Sequence, residues 1–406
     1  MNPEEAKRVI LDQEDELRHI FEKKMVPREI SDRINASLVA PNAFLITGVR
    51  RCGKSTLAAQ VARQHNYARV NFDDERLSGL KAGDLNNILE AVYTLKGDVD
   101  VLVLDEIQVV EGWEMFVSRL RDTKKVLVTG SNSSLLSREF GTRLTGRHLD
   151  FTLFPFSFRE FVASKGFVYT GTTKSIAEAK RLLEEYMSVG GFPEVQIFGT
   201  AVLRSTLDYV ILKDIVLRYG IRNERLIFEI ARFLLDNSSN EISYNRIKNA
   251  FDVPSVHTVA DYVRFLEASF LVSTVERFSK KTLTRYTLPK KVYSVDPGLA
   301  RKDVEHAMEN LVYLELRRSG LQPTYYADSN CEVDFVTQDE LLQVTYAGDE
   351  RDIERREVRS LVEVGRKIGQ RKLKIITHDA EGEITEGGRR IRLVPLWKYL
   401  LRAVEG

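Results

Sequence analysis

The 406-residue chain contains only two cysteines, Cys52 and Cys331, and 60 basic residues against 59 acidic ones leave a formal net charge of +1. Two cysteines, one of them inside a glycine-rich segment, support no disulfide framework and point to a reducing compartment. A near-zero net charge excludes a chain whose entire surface attracts polyanions, so any such site must be local. Nowhere do about 18 apolar residues run together, which leaves no candidate membrane-spanning helix and no expected membrane partner. The opening residues Met1, Asn2, Pro3, Glu4 and Glu5 lack the apolar stretch of a secretion signal, so the expected location is cytoplasmic.

Apolar residues make up 43% of the chain, enough to fill roughly two to four domains. The chemistry is carried by motifs. Gly48, Val49, Arg50, Arg51, Cys52, Gly53, Lys54 and Ser55 follow the apolar run Ala43, Phe44, Leu45, Ile46, with the spacing G-x-x-x-x-G-K-S of a phosphate-binding loop. Glycines let backbone N–H groups curl around phosphates, Lys54 can reach the β- and γ-phosphates, and the Ser55 hydroxyl can hold magnesium. Thr56 to Ala62 favour a helix whose N-terminal dipole adds to the attraction. Gly48, Arg51, Cys52, Gly53, Lys54, Ser55 and Thr56 are therefore the expected nucleotide contacts, and ATP, ADP and Mg2+ the expected ligands.

The rhythm around the loop predicts a parallel α/β sheet. An amphipathic helix with Val9, Gln13, Leu17, Ile20 and Phe21 on one face comes first. Strand-like runs at Arg69–Phe72, Val101–Leu104 and Val126–Thr129 then alternate with helix faces marked by Leu85, Ile88, Leu89, Val92 and by Trp113, Phe116, Leu120. Polar residues gather where these strands end, the side on which such sheets bind ligands. Asp105 is placed to hold magnesium opposite Ser55, and Glu106 to activate the attacking water. Ser131 or Asn132 can bond that water or the γ-phosphate. Farther on, Arg147 or Arg143 is a candidate arginine finger, supplied to a neighbouring subunit of a homo-oligomer.

These residues resemble an archaeal and bacterial family of AAA+-type ATPases. The phosphate loop with paired arginines, the segments Asp105–Gln108, Gly112–Glu114 and Thr129–Asn132, and the stretch from Leu144–Arg147 through Pro155–Phe161 carry the likeness. The resemblance implies a P-loop ATPase domain, a winged helix and a C-terminal domain similar to PD-(D/E)xK nucleases. The expected layout is an N-terminal helix at 1–30, the ATPase domain at 31–168, a helical lid at 169–235, a winged helix at 236–290 and an α/β nuclease-like domain at 291–406. In the lid, Arg218 is a second candidate nucleotide contact.

Between 236 and 290, a serine-capped helix from Ser243, a second helix from Ser255 and the basic run from Lys280 match a winged helix. Ser255, His257 and Thr258 are the candidate groove contacts, with Lys280 and Lys281 on phosphates. In the nuclease-like region Glu309 and Asp334 match the first two acids of a metal site that activates water. Gln343 and Thr345 stand where the glutamate and lysine of its third motif belong, so strand cleavage is not expected. Arg351, Arg355 and Arg359 form a basic stripe on an expected helix. The resulting reading is an ATPase that couples nucleotide state to DNA or protein binding. The alternatives are a slow nucleotide-gated protein-interaction switch and an ATP-dependent nuclease.

Overall fold

The computed structural model describes residues 1–22, 25–132, 148–279, 288–300, 303–369 and 371–403. It divides into two compact units, Met1–Phe154 with Ala268–Phe270, and Pro155–Glu267 with Leu271–Gly406.

The first unit is an α/β layer built on five strands: β1 (Ala43–Thr47), β2 (Tyr67–Asn71), β3 (Val101–Asp105), β4 (Lys125–Gly130) and β5 (His148–Thr152). All pairs are parallel and the spatial order is β2-β3-β4-β1-β5. β1 and β3 are buried along their whole length, which is why they read as unbroken apolar runs. Because β1 lies between β4 and β5, the chain leaving it enters a crevice with a strand end on either side.

One face of the sheet is covered by α1 (Pro3–Phe21) and by helices Leu85–Lys96 and Trp113–Leu120, whose Ala6, Val9, Ile88, Val92, Trp113 and Val117 pack on Ala68, Val70, Leu102 and Leu104. α1 also closes an open sheet edge. The Gln13 amide donates to the Asn71 carbonyl at 3.0 Å and accepts from the Asn71 N–H at 2.8 Å, taking the ladder positions that a further strand would fill.

The second unit begins with helix Phe158–Ser164, opened by a capping box in which Ser157 and Glu160 bond each other's backbone N–H groups. Helices Thr173–Val189, Ala201–Tyr209 and Glu224–Asp236 follow, with a π-helical segment Val210–Val216 between the last two. Next come β6 (Glu241–Ile242), helix Tyr244–Ala250 capped by Ser243, helix Val256–Ala268, β7 (Val272–Glu276) and β8 (Lys290–Ser294). These strands pair antiparallel in the order β6-β8-β7.

Helix Val304–Arg318 leads into a six-stranded mixed sheet of β9 (Thr324–Ala327), β10 (Glu332–Val336), β11 (Glu340–Thr345), β12 (Lys372–Thr377), β13 (Gly382–Glu386) and β14 (Arg389–Pro395). Their order is β13-β14-β12-β11-β10-β9. Helix Arg355–Ile368 crosses from β11 to its parallel neighbour β12. Here the expected arginine stripe is corrected. Arg351 lies in a separate 3-10 turn, Glu350–Asp352, where Asp349 caps the backbone and pairs with the Arg351 side chain, so only Arg355 and Arg359 share the helix.

Two turns of this unit interlock. Asp296 accepts the Gly191 N–H at 2.7 Å and the Gly298 N–H at 2.9 Å. A Cβ on Gly190 would collide with the Asp296 carboxyl, and one on Gly191 with the Phe156 carbonyl. Both glycines therefore serve close approach of backbone to its neighbours.

Candidate nucleotide site

The loop Gly48–Gly53 leaves β1 and delivers the chain to helix Lys54–Ala62. Gly53 opens the helix at φ 97°, a conformation that strains any other residue, and Arg51 is held at φ 67°. Beneath the loop, Arg28 donates to the Cys52 carbonyl at 2.9 Å and to the Phe154 carbonyl at 2.7 Å. The guanidinium thereby satisfies one carbonyl of the loop and one just beyond β5. The Cys52 thiol is buried, donates to the Leu153 carbonyl at 3.4 Å, and has its pKa raised by that burial. Only the Cys52 backbone is suited to a phosphate contact.

Lys54 is 4% exposed; its ammonium donates to the Val49 carbonyl at 3.2 Å and lies 3.8 Å from Glu106. A buried ammonium with one neutral acceptor in bonding range has hydrogen-bonding capacity to spare for phosphate oxygens. Ser55 donates its hydroxyl to Asp105 Oδ1 at 2.9 Å. That hydroxyl and carboxylate are the two protein groups that a nucleotide-borne magnesium needs, since the ion keeps waters and takes phosphate oxygens for its other positions. The residues fit the ion in this sense. Among the described residues no larger His, Cys, Asp and Glu cluster is arranged to hold a metal by itself.

Thr129, at the end of β4, ties the acids together. Its hydroxyl donates to Asp105 Oδ1 and accepts the Glu106 backbone N–H at 3.1 Å. Glu106 sits at φ 54°, ψ 34°, a left-handed conformation uncommon for a side chain of its size, which this hydrogen bond helps to hold. Its Oε2 accepts from the Gln108 amide and, at 3.4 Å, from the Ser131 hydroxyl. Asn132 is buried at the end of the same strand segment.

Two basic residues of this site escaped the sequence reading. Arg28 lies in a loop with no motif around it. Arg69 on β2 donates to Asp105 Oδ2. Register explains how it arrives there: Asn71 is aligned with Asp105 and Arg69 with Val103, so Arg69 and Asp105 share one face of neighbouring strands. On β2 the buried positions are Ala68 and Val70, so Arg69 stands with Tyr67 and Asn71 on the less buried face, where an arginine is unremarkable in sequence.

In the second unit Glu309 and Asp334 do come together, but on a lysine. Lys291 of β8 lies 3.1 Å from Glu309 and 3.0 Å from Asp334. Burial, then the neighbouring Asp334, pushes the Glu309 carboxyl upward, against the pull of Lys291. Gln343 and Thr345 lie buried on β11; Thr345 bonds Glu357, whose carboxyl is pushed up to about 7 chiefly by burial. Ser255 is used locally, its hydroxyl accepting the Thr258 N–H at 3.1 Å and bonding the Thr258 hydroxyl at 3.0 Å, whereas His257 is exposed. Arg218 lies in a short helical turn, Leu217–Tyr219. Arg143, Arg147, Lys280 and Lys281 fall outside the described residues. No described helix is long and apolar enough to cross a membrane.

Comparison with known proteins bears on the first unit most directly. A family model described as an AAA domain matches residues 40–162, and one for a domain of unknown function matches residues 180–306. The Walker-type ATPase PABY2304 of Pyrococcus abyssi, a solved structure, is similar at 15% identity over 68% of this chain and 95% of that one, with a TM-score of 0.46. An uncharacterized protein of Haemophilus influenzae is 30% identical over 75% of this chain and 82% of its own. An uncharacterized protein of Methanocaldococcus jannaschii is 33% identical over 92% of this chain and 91% of its own. Likeness of that extent places the chain, whose residues 40–162 match an AAA domain, in one family with the M. jannaschii protein.

Proposed function

We propose that the protein binds ATP with magnesium, hydrolyses it, and couples nucleotide state to a DNA or protein contact made by its C-terminal regions. One observation carries the reading: Lys54 and Ser55, at the start of the helix that follows β1, and Asp105 and Glu106, at the end of β3, converge at the carboxyl ends of the strands, tied by Thr129 of the intervening β4. Lys54 and the loop N–H groups bind the phosphates. Ser55 and Asp105 would hold the ion, which would supply charge neutralisation of the phosphates. Glu106 accepts a proton from the attacking water while Ser131 and Asn132 orient it. Arg147 is the proposed finger across a subunit boundary of a homo-oligomer.

The succession of β6, helix Tyr244–Ala250, helix Val256–Ala268, β7 and β8 supports a winged-helix reading of residues 236–290, with His257 as the candidate groove contact and Lys280 and Lys281 on phosphates. Helix Val304–Arg318 followed by β9, β10, β11, helix Arg355–Ile368 and β12 supports a nuclease-like but catalytically degenerate reading of residues 291–406. The test is phosphate release by the full chain with no ligand and with single-stranded, double-stranded or branched DNA, oligomeric state being followed in parallel. Turnover abolished by Lys54→Ala and stimulated by one DNA form is the expected result. Turnover stimulated by none of them moves the output to a protein partner, and cutting of plasmid that Asp334→Ala abolishes would make the protein a nuclease.

A further inference from the structure

Lys291 lies within the β8 strand, next to the fully buried Val292 and Tyr293, and is itself 3% exposed. Burying an ammonium is strongly unfavourable unless its N–H groups all find acceptors. Here three donors meet three carboxylates: Asp334 Oδ1 at 3.0 Å, Glu309 Oε1 at 3.1 Å and the more exposed Glu332 Oε1 at 3.1 Å. The Tyr325 ring faces the ammonium from 5.6 Å. Further bonds fix the acids in turn, Tyr293 donating to Glu309 Oε1 at 2.7 Å and the Val344 N–H to Asp334 Oδ2 at 2.9 Å.

The same two acids are those that a metal-dependent nuclease centre would present. Whether a divalent ion fits is decided by the oxygens. Magnesium or calcium needs about 6–8 oxygen ligands at about 2.0–2.6 Å. Glu309 Oε1 and Asp334 Oδ1 are the atoms on which Nζ already sits, so an ion between them would have an ammonium inside its coordination sphere. The adjoining strand offers neutral Gln343 and Thr345 rather than a further acid and a free lysine. The residues present do not fit a resident divalent ion.

We propose that the Lys291 ammonium is the resident cation of this carboxylate cluster, occupying the place of a divalent metal, and that its removal turns the cluster into a divalent-cation site. The acid pair then works as a fastening: a covalently attached cation joins β8 to β10 and to helix Val304–Arg318, at any metal concentration. The inference stands apart from the nucleotide site and does not depend on it.

The experiment is Mn2+ uptake by nucleotide-free full-length protein, read by electron paramagnetic resonance of the free ion, in wild type, Asp334→Asn, Lys291→Ala and Lys291→Ala with Asp334→Asn. One Mn2+ per chain gained in Lys291→Ala and lost again in the double variant, with no difference between wild type and Asp334→Asn, is the expected result. Uptake in wild type that Asp334→Asn abolishes overturns the proposal. So does a folded Lys291→Ala, with unchanged circular dichroism, that takes up no additional Mn2+. Should Lys291→Ala be unfolded without metal, its thermal transition is compared in EDTA and in millimolar Mn2+. Recovery of a cooperative transition with Mn2+ supports the proposal, and no recovery overturns it.

Discussion

Replacing Glu106 by glutamine tests the hydrolytic reading with the least collateral change. The carboxyl is 7% exposed, and its Oε2 accepts from the Gln108 amide nitrogen and the Ser131 hydroxyl. An amide nitrogen placed there would face a donor, but the remedy is next to it. Gln108 Oε1 has no hydrogen-bond partner among the described residues, so a flip of the Gln108 amide presents an acceptor to the new N–H group. The backbone tie to Thr129 and the Ser55–Asp105 pair involve other atoms and are untouched. Folding and nucleotide binding should therefore survive.

What Glu106→Gln removes is a proton acceptor and a negative charge 3.8 Å from the Lys54 ammonium. Loss of a general base slows such reactions by about 10²–10⁴, equivalent to about 3–5 kcal/mol in the barrier. Loss of the charge leaves Lys54 with one competitor fewer for phosphate, so ATP should bind as tightly as in wild type or more so. Calorimetric ATP binding and steady-state phosphate release read the two effects separately. Turnover within about threefold of wild type, with binding intact, would remove Glu106 from the chemistry. Parallel loss of binding and turnover would instead make it a structural support of the loop.

Three further outcomes are expected. Arg69→Ala leaves the buried Asp105 without its guanidinium, and breaking such a pair costs about 3–5 kcal/mol, so the melting temperature should fall; the freed carboxylate should bind magnesium better, and Mg-ATP should raise the melting temperature more than in wild type. Gly191→Ala drives a Cβ into the Phe156 carbonyl, which accepts from Tyr186 at 2.6 Å and Arg318 at 3.3 Å; with neutral bonds worth about 1 kcal/mol and charged ones about 1.5–3, urea unfolding should show a loss of at least about 2 kcal/mol. Asp296, which burial pushes up to about 7, holds a proton in the folded chain that the unfolded chain has released, so its contribution is present in acid and declines as pH rises from about 4 through 7, by about 1.4 kcal/mol per pH unit; Asp296→Asn should flatten the pH dependence of stability by that slope between pH 5 and 7.

Much of the first unit was legible because its signals are local. The loop spacing, the apolar strands and the acids that end them lie within runs of a few residues, and a parallel sheet brings its strand ends together by topology alone. Lys54, Ser55, Asp105 and Glu106 could be named without coordinates for that reason. Arg28 and Arg69 could not, since their roles depend on which carbonyl or carboxylate another element places opposite them. The Arg351 stripe failed on a local competitor: Asp349 caps a tight turn and stops the helix from starting early. Lys291 was the least legible, because its sequence neighbour Lys290 is also basic and nothing local marks it as buried, whereas antiparallel pairing with β6 and β7 carries it inside, among acids 18 and 43 residues away in sequence.

Arg69 and Lys291 make a comparison that sharpens both readings. Each is a basic side chain from a strand set against an aspartate that a metal-dependent reaction would use. Arg69 takes Asp105 Oδ2 and leaves Oδ1 to the Ser55 and Thr129 hydroxyls, neutral groups whose bonds a magnesium ion can replace without displacing a charge. Lys291 takes the oxygens on which two acids converge, and displacing the neutral Tyr293 hydroxyl that also bonds Glu309 Oε1 would leave the ammonium in place. A guanidinium to one side weakens a carboxylate but leaves it one oxygen open to a metal, while an ammonium between two carboxylates excludes one. Metal dependence is accordingly expected of the first unit and absent from the second. A single titration separates them: magnesium should shift the melting of the Asp334→Asn protein in the presence of ATP as it does wild type, and should not do so in Lys54→Ala.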